Sequence, residues 1–441
     1  MDAGDDLTDP VALITSAALS EHNADNPRMT AGMTFLGQFL DHDMTFDPTS
    51  SLARRQDPEA IRNFRVPALD LDSVYGGGPV VSPFLYDQAV DSGRTTFLVD
   101  DIPGCTAVSV GGTPRFDLAR NRQNVALIGD PRNDENLVLS QLHLAFLRFH
   151  NATVEQVRTR LGPAFGPGEV FAEAQRLVRW HYQWLVLHDF LPTTVGQEVV
   201  DDVLADGPRH YRWRNEPYIP VEFSVAAYRF GHSQVRPSYR ANFGTSTTDV
   251  GQQFFALIFD PTLADLDDPA DLRGGKRAAR RFIDWQTFFD FGDGRARRNK
   301  RIDTTLSSVL FELMGQPAEE ARSLATRNLE RNLTMCVPSG QRVAQAMSLE
   351  PLAASDLEDL RDFHLDASTP LWLYVLREAD VQQKGERLGA VGARIVAEVI
   401  VGLIRGDKQS YLNQAPDWRP EGGDFGIVDL LRAAGVVATL S

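Results

Sequence analysis

The sequence predicts an all-α, mainly helical protein: one large domain over residues 1–441, with long loops and few short strands. Three observations carry this reading. Apolar residues recur at three- and four-residue spacing through most patterned stretches, period-two alternation is brief, and no repeat or low-complexity linker divides the chain. After Asn26-Pro27, a start signal, Met33, Leu36, Phe39 and Leu40 predict a helix over 28–43. TTFLVD at 95–100 alternates and reads as a strand. From Glu135 to Leu161, Leu139, Leu142, Phe146 and Phe149 form one stripe, which Gly162-Pro163 ends. Val170, Ala174, Leu177, Trp180 and Trp184 repeat the pattern from Glu169 to Leu191, with Pro192 as the stop. Further helices are expected over 301–314, 317–333, 356–365, 371–379 and 390–405.

Composition narrows the function classes. Sixty acidic residues against 44 Lys plus Arg leave a formal charge of -16, which disfavours nucleic acid or an anionic membrane as partner. Hydrophobic (43%) and charged (24%) fractions are those of a globular protein. Cys105 and Cys336 could form at most one bridge, so no disulfide framework is expected and a reducing compartment is favoured. The opening MDAGDDLTDP has neither a basic nor an apolar leader region, and a cytoplasmic location is the expectation. Ala390 to Ile404 is the longest apolar stretch, but it contains Arg394 and Glu398 and falls short of the ~20 residues a membrane span needs.

Several residues could carry chemistry, each with a bland alternative. His42 stands between Asp41 and Asp43, with Gln38 one helical turn earlier. Carboxylate neighbours favour the imidazolium and burial opposes it, so either a tuned proton-handling group or an exposed acidic helix end fits. A metal reading of this triplet lacks a second ligand pair at recognised spacing. GDPRNDEN places Arg132 just before a long helix, where Asp130, Asp134 and Glu135 could be simple capping. In RFGHS, Gly231 would let the backbone bring His232 close to a flat cofactor, although a GH pair alone says little. Asn328 reads equally as a surface amide or a buried orienting group. His143, His150, His181 and His188 read as hydrogen-bonded packing residues, and the basic run Arg295 to Arg301, without interleaved aromatics, as a solvated loop.

Taken in order, GQFLDHD, LDLDSVYG, GDPRNDEN followed by LHLAFLRFHN, YRFGH and NLERN with VPSG resemble five segments of the animal haem peroxidase superfamily, its bacterial peroxidase branch in particular, over about residues 26 to 405. The resemblance implies haem b and the reduction of hydrogen peroxide through an oxoferryl haem, with oxidation of a small organic donor or a halide. It makes His42 the distal histidine, Arg132 the distal arginine and Gln38 the group that binds distal water or halide. It makes His232 the iron ligand and Asn328 the acceptor of its Nδ1 proton. Asp41 and Glu135 match positions that form ester bonds to haem. Arg229 could pair with a haem propionate. A Ca²⁺ site would map to Asp43, Asp70 and Asp72 with main-chain oxygens of Val66 and Ala68. Val66 stands where threonine is common, which removes one side-chain ligand, and Asp72 adds a carboxylate.

Two other readings stand beside peroxidase. A fatty-acid dioxygenase of the same superfamily places a radical-forming tyrosine three residues before the iron ligand. Here that position is Arg229, with Tyr228 one step out of register and rotated by ~100° if helical. The second is a non-enzymatic haem or adhesion protein, against which the complete set of His42, Arg132, His232 and Asn328 argues.

Overall fold

In the computed structural model, which describes residues 24–46, 63, 65–89, 93–236, 238–245, 253–254, 279–307, 310–311 and 323–440, helices dominate and strands are short and paired two by two. The principal helices are α1 (Ala31–Met44), α2 (Leu137–Leu161), α3 (Pro167–Leu185), α4 (Gln197–Asp206), α5 (Leu324–Thr334), α6 (Gly340–Ala346), α7 (Leu371–Gln383), α8 (Ala390–Gly406) and α9 (Ile427–Ala433).

α2 is the axis of the first group. Asn136 caps it by accepting the Leu139 N–H at 2.8 Å, and Gly162 at φ +79° ends it. The predicted stripe is buried, but Val138, Ser140, Gln141 and Leu144 on the other faces are buried too, so α2 runs through the core rather than along its surface. α1, α3 and α9 pack around it. Phe39 of α1 stacks on Phe146 of α2 at 4.6 Å, and Tyr182 of α3 meets the same ring edge-on at 5.6 Å.

α1 begins later than its apolar pattern suggests. Asp25–Thr30 is extended and pairs antiparallel with Arg298–Lys300, and the Ala31 N–H bonds to Arg297 O at 2.8 Å. A Cβ at Gly32 would lie 2.4 Å from Phe289 Cζ, so only glycine lets the helix start this close to its neighbour. The basic run is therefore a solvated loop only in its first half, where Arg295 and Arg297 are exposed. Its end is this strand: Lys300 is fully buried, its Nζ donates to Ser233 O at 3.0 Å and to Thr305 O, and its charge faces Asp303 at 3.8 Å.

Other boundaries also move. The helix from Glu169 does not stop at Pro192: a π-turn at Val186–Phe190 resets the hydrogen-bond register, and Leu191–Val195 continues with Pro192 in its first turn, where a missing N–H is tolerated. Residues 301–307 are not helical, because Arg301 N and Ile302 N bond to Ala24 O and Gly385 O in distant segments. Positions 312–322, the rest of that expected helix and the start of the next, lie outside the described residues. Ala354–Phe363 is a 3₁₀ helix, and the expected strand is split: Phe97 bridges Tyr86, while Val99–Asp101 pairs with Phe116–Leu118.

In the second group, α7 packs on α8, on α5 and on the 3₁₀ segment Ala227–Gln234. Glu378 of α7 caps α8, accepting N–H bonds from Val391 at 2.9 Å and Gly392 at 3.1 Å. No helix among the described residues is long and apolar enough to cross a membrane.

Candidate active site

α1 is buried around most of its circumference, yet Thr34, Gly37, Gln38 and Asp41 are only partly covered and share one stripe. Arg229, Gly231 and His232 are likewise partly covered, between the buried Tyr228, Phe230 and Ser233. The two walls are close. Asp41 acts electrostatically on Arg229, and the Tyr228 hydroxyl donates to Gly37 O at 3.1 Å. A Cβ at Gly231 would meet nothing within 4 Å, so open space adjoins His232.

Glu135, in the turn before α2, stands on the same hollow. Its side chain is 44% accessible, yet desolvation is the main influence on its carboxyl and raises its pKa against the opposing charges of His42 and Arg132. A group that is accessible and still desolvated lines an internal hollow. Gln38 Nε2 donates to Glu135 Oε1, and Glu135 Oε1 lies 3.9 Å from His42 Nε2.

His42 is held from behind. Its Nδ1 is 2.9 Å from Asn133 Oδ1, and Asn133 Nδ2 is 3.0 Å from His143 Nδ1. An amide oxygen only accepts, so this arrangement puts a proton on His42 Nδ1, and in the neutral imidazole Nε2 then carries the lone pair. His143 is more than packing: it anchors the amide that orients His42, and burial lowers its pKa to about 3, which keeps it neutral.

Arg132 sits behind His42 rather than beside it in the hollow. Its Nη2 donates to His42 O at 2.9 Å, Thr45 O at 2.6 Å and Asp130 Oδ2 at 2.8 Å, while the guanidinium covers the Phe46 ring. Asp130 is buried, which would raise its pKa, but the hydrogen bonds and charges of Arg132 and Arg65 hold it well below the usual carboxylate range. Arg65 also bonds to Asp72 at 3.0 Å, so an ionic chain runs from Asp72 to Arg132. Gly129 makes the close packing possible, since a Cβ there would lie 2.5 Å from Ser73 O.

On the other wall, burial first and then the charges of Arg229 and Arg331 lower the His232 pKa to about 3, leaving a neutral imidazole. Asn328 of α5 is buried with Nδ2 2.9 Å from His232 Nδ1 and with Oδ1 lacking a partner. Rotating that amide by half a turn sets Oδ1 on the Nδ1–H and leaves Nε2 as a ligand. Arg229 Nε is a buried donor without a partner. A neutral imidazole, open space beside Gly231 and an orphaned guanidinium donor together fit a flat metal-bearing cofactor with acidic groups at its edge.

Ligand atoms of Asp43, Asp70 and Asp72 lie within 4.8 Å of one another, which suits a Ca²⁺ whose oxygens sit ~2.3–2.6 Å from it. Asp43 accepts from Leu71 N at 3.1 Å, Ser73 Oγ at 2.8 Å and Tyr182 Oη at 3.1 Å. Burial and the two neighbouring carboxylates raise its pKa to about 7, and burial raises that of Asp72 to about 6. Val66 turns its side chain to solvent, and its carbonyl accepts the N–H of Ala68 at 2.7 Å.

Asn133, Asp130 and Arg65 were not foreseen as site residues. Asn133 was within reach, since it sits between the foreseen Arg132 and Glu135. Arg65 lies next to the expected calcium segment but pairs with Asp130, 65 residues away, a contact no spacing rule predicts.

The family profile for "Animal haem peroxidase" matches residues 63–350, and the chain belongs to that family. The match takes in Arg132, His232 and Asn328 but begins after α1 and His42. Peroxinectin A of Dictyostelium discoideum is 24% identical over 289 residues, 64% of this chain and 49% of that protein. Thyroid peroxidase of Mus musculus is 29% identical over 210 residues, covering 45% of this chain and 22% of that protein. The chain thus spans half or less of the length of these relatives. In three dimensions it is similar to peroxidase A from Dictyostelium discoideum (TM-score 0.64, 17% identity, 97% of this chain and 89% of that one). It also resembles an Oryza sativa fatty acid α-dioxygenase (TM-score 0.62, 16% identity, 92% and 74%). At these identities the likeness establishes the helical fold.

Proposed function

We propose that this protein is a haem-dependent peroxidase that reduces hydrogen peroxide at the expense of a small organic donor or a halide. The observation that carries this reading is the pair of oppositely prepared imidazoles: His42 with Nδ1 engaged by Asn133, and His232, neutral, with Asn328 at its Nδ1. Bound haem would be held by His232, with Arg229 on a propionate, and supplies the redox centre. His42 Nε2 takes a proton from peroxide and returns it to the departing oxygen, as general base and then general acid. Glu135 and Gln38 fix polar groups at the mouth of that position, where water or halide would bind. Arg132 holds the His42 carbonyl and contributes positive charge from behind. Asp41 and Glu135, both on the hollow, are the positions from which ester bonds to haem would form. The Tyr228 hydroxyl is tied to Gly37 O, which speaks against the dioxygenase reading.

The test is steady-state oxidation of iodide, bromide and simple phenols by the hemin-loaded protein. Peroxide-dependent turnover well above that of an equal amount of unbound hemin is expected. Turnover no faster than unbound hemin with every donor would overturn the reading.

Asp43, Asp70 and Asp72 would hold Ca²⁺, and pH provides a check. A carboxyl whose pKa is raised on folding stabilises the fold below its unfolded value, a contribution lost as pH rises through about 6 for Asp72 and about 7 for Asp43. Calcium relieves the repulsion only among charged carboxylates. Millimolar Ca²⁺ should therefore raise Tm clearly at about pH 8 and little at about pH 5. An equal shift at both would contradict the assignment.

A further inference from the structure

α6, α8 and the 209–222 loop enclose a pocket of about 520 Å³ that shares no residue with the site above. Its volume falls within the ~300–1,000 Å³ typical of small-molecule sites. Tyr211, Tyr218, Val343, Met347, Ile395 and Val399 form apolar walls. The Tyr211 hydroxyl donates to Tyr218 O at 2.6 Å and accepts the Tyr218 N–H at 3.1 Å, so its own needs are met within the wall.

The pocket also holds a buried acceptor without a hydrogen bond. Glu398 is 1% exposed. Its Oε2 accepts the N–H groups of His210 at 2.7 Å and Tyr211 at 3.0 Å, whereas Oε1 has no hydrogen-bond donor. The nearest cation, Arg394 Nη1, is 3.8 Å from Oε1 and is bonded instead to Asp202 at 2.5 Å. A buried carboxylate oxygen in this state gains from a ligand donor. With a guanidinium so close, a neutral hydroxyl suits the position better than an ammonium. The rim offers the opposite chemistry, since Arg342 is exposed and forms no ion pair among the described residues.

We propose that this pocket binds a small hydroxylated aromatic acid, its ring between the apolar walls, its hydroxyl donating to Glu398 Oε1 and its carboxylate facing Arg342. The inference goes beyond the peroxidase reading and does not rest on it.

Calorimetric titration of the full chain, with and without hemin, tests it, using 4-hydroxybenzoate as the probe. 4-Methoxybenzoate lacks the donor and phenol lacks the acid. The hydroxy acid should bind at least ~10-fold more tightly than either. Arg342→Ala should weaken it by roughly tenfold. Ala346→Trp, built from an exposed position on the pocket lining, should abolish binding while leaving Tm in place. Absence of binding at millimolar concentration, equal affinity for the three compounds, or unchanged affinity in the Ala346→Trp protein would each overturn the proposal.

Discussion

His232→Ala yields a folded protein that no longer holds hemin in a histidine-bound state. The expected loss of affinity exceeds the roughly 10–100-fold that follows removal of an outer partner of a metal ligand, because here the ligand itself is gone. The intermediate size of effect belongs to Asn328→Val, which keeps the imidazole but removes the group on its Nδ1. His232 sits in an irregular 3₁₀ segment braced by α7, where Trp372 Nε1 donates to Arg229 O at 3.2 Å, so the truncation should leave the fold intact. Hemin titration followed in the Soret band checks both variants. A His232→Ala protein with wild-type affinity and spectrum would remove His232 from its role.

His42→Ala should leave hemin binding near normal and lower kcat/KM for peroxide by roughly 10²–10⁴-fold, the usual span for a general acid–base group. Asn133→Leu should produce a smaller loss through the same imidazole, because it releases Nδ1 and with it the orientation of Nε2. Stopped-flow mixing of the loaded protein with peroxide separates the two. If the His42→Ala protein reacts at the wild-type rate, proton handling lies elsewhere.

Much of the scaffold was legible from apolar spacing because α1, α2 and α8 bury side chains at helical intervals. Spacing failed where distant main chain decided the outcome. Residues 301–307 are drawn out by Ala24 and Gly385, and Lys300 is buried against carbonyls of Ser233 and Thr305, so the end of a run of like charge departs from the solvated reading that Arg295 and Arg297 follow. The π-turn before Pro192 has no periodic signature, since its register shift is one residue long. In the site, the residues by themselves left His42, Arg132, His232 and Asn328 ambiguous, and the resemblance supplied their roles. The structure brings His42 to Asn133 and His232 to Asn328, but draws Arg132 back onto Asp130 and the end of α1. It also promotes His143 from packing to support. That change was hidden because His143 reaches His42 only through an amide lying one turn before its own helix.

The central claim is a cofactor hollow between α1 and the His232 segment. Its most direct measurement is titration of the purified wild-type chain with hemin. One equivalent should give a sharp end point and a ferric spectrum characteristic of a single histidine ligand with an open sixth position. A chain that leaves the hemin spectrum unchanged, or binds it without stoichiometry, would contradict the account.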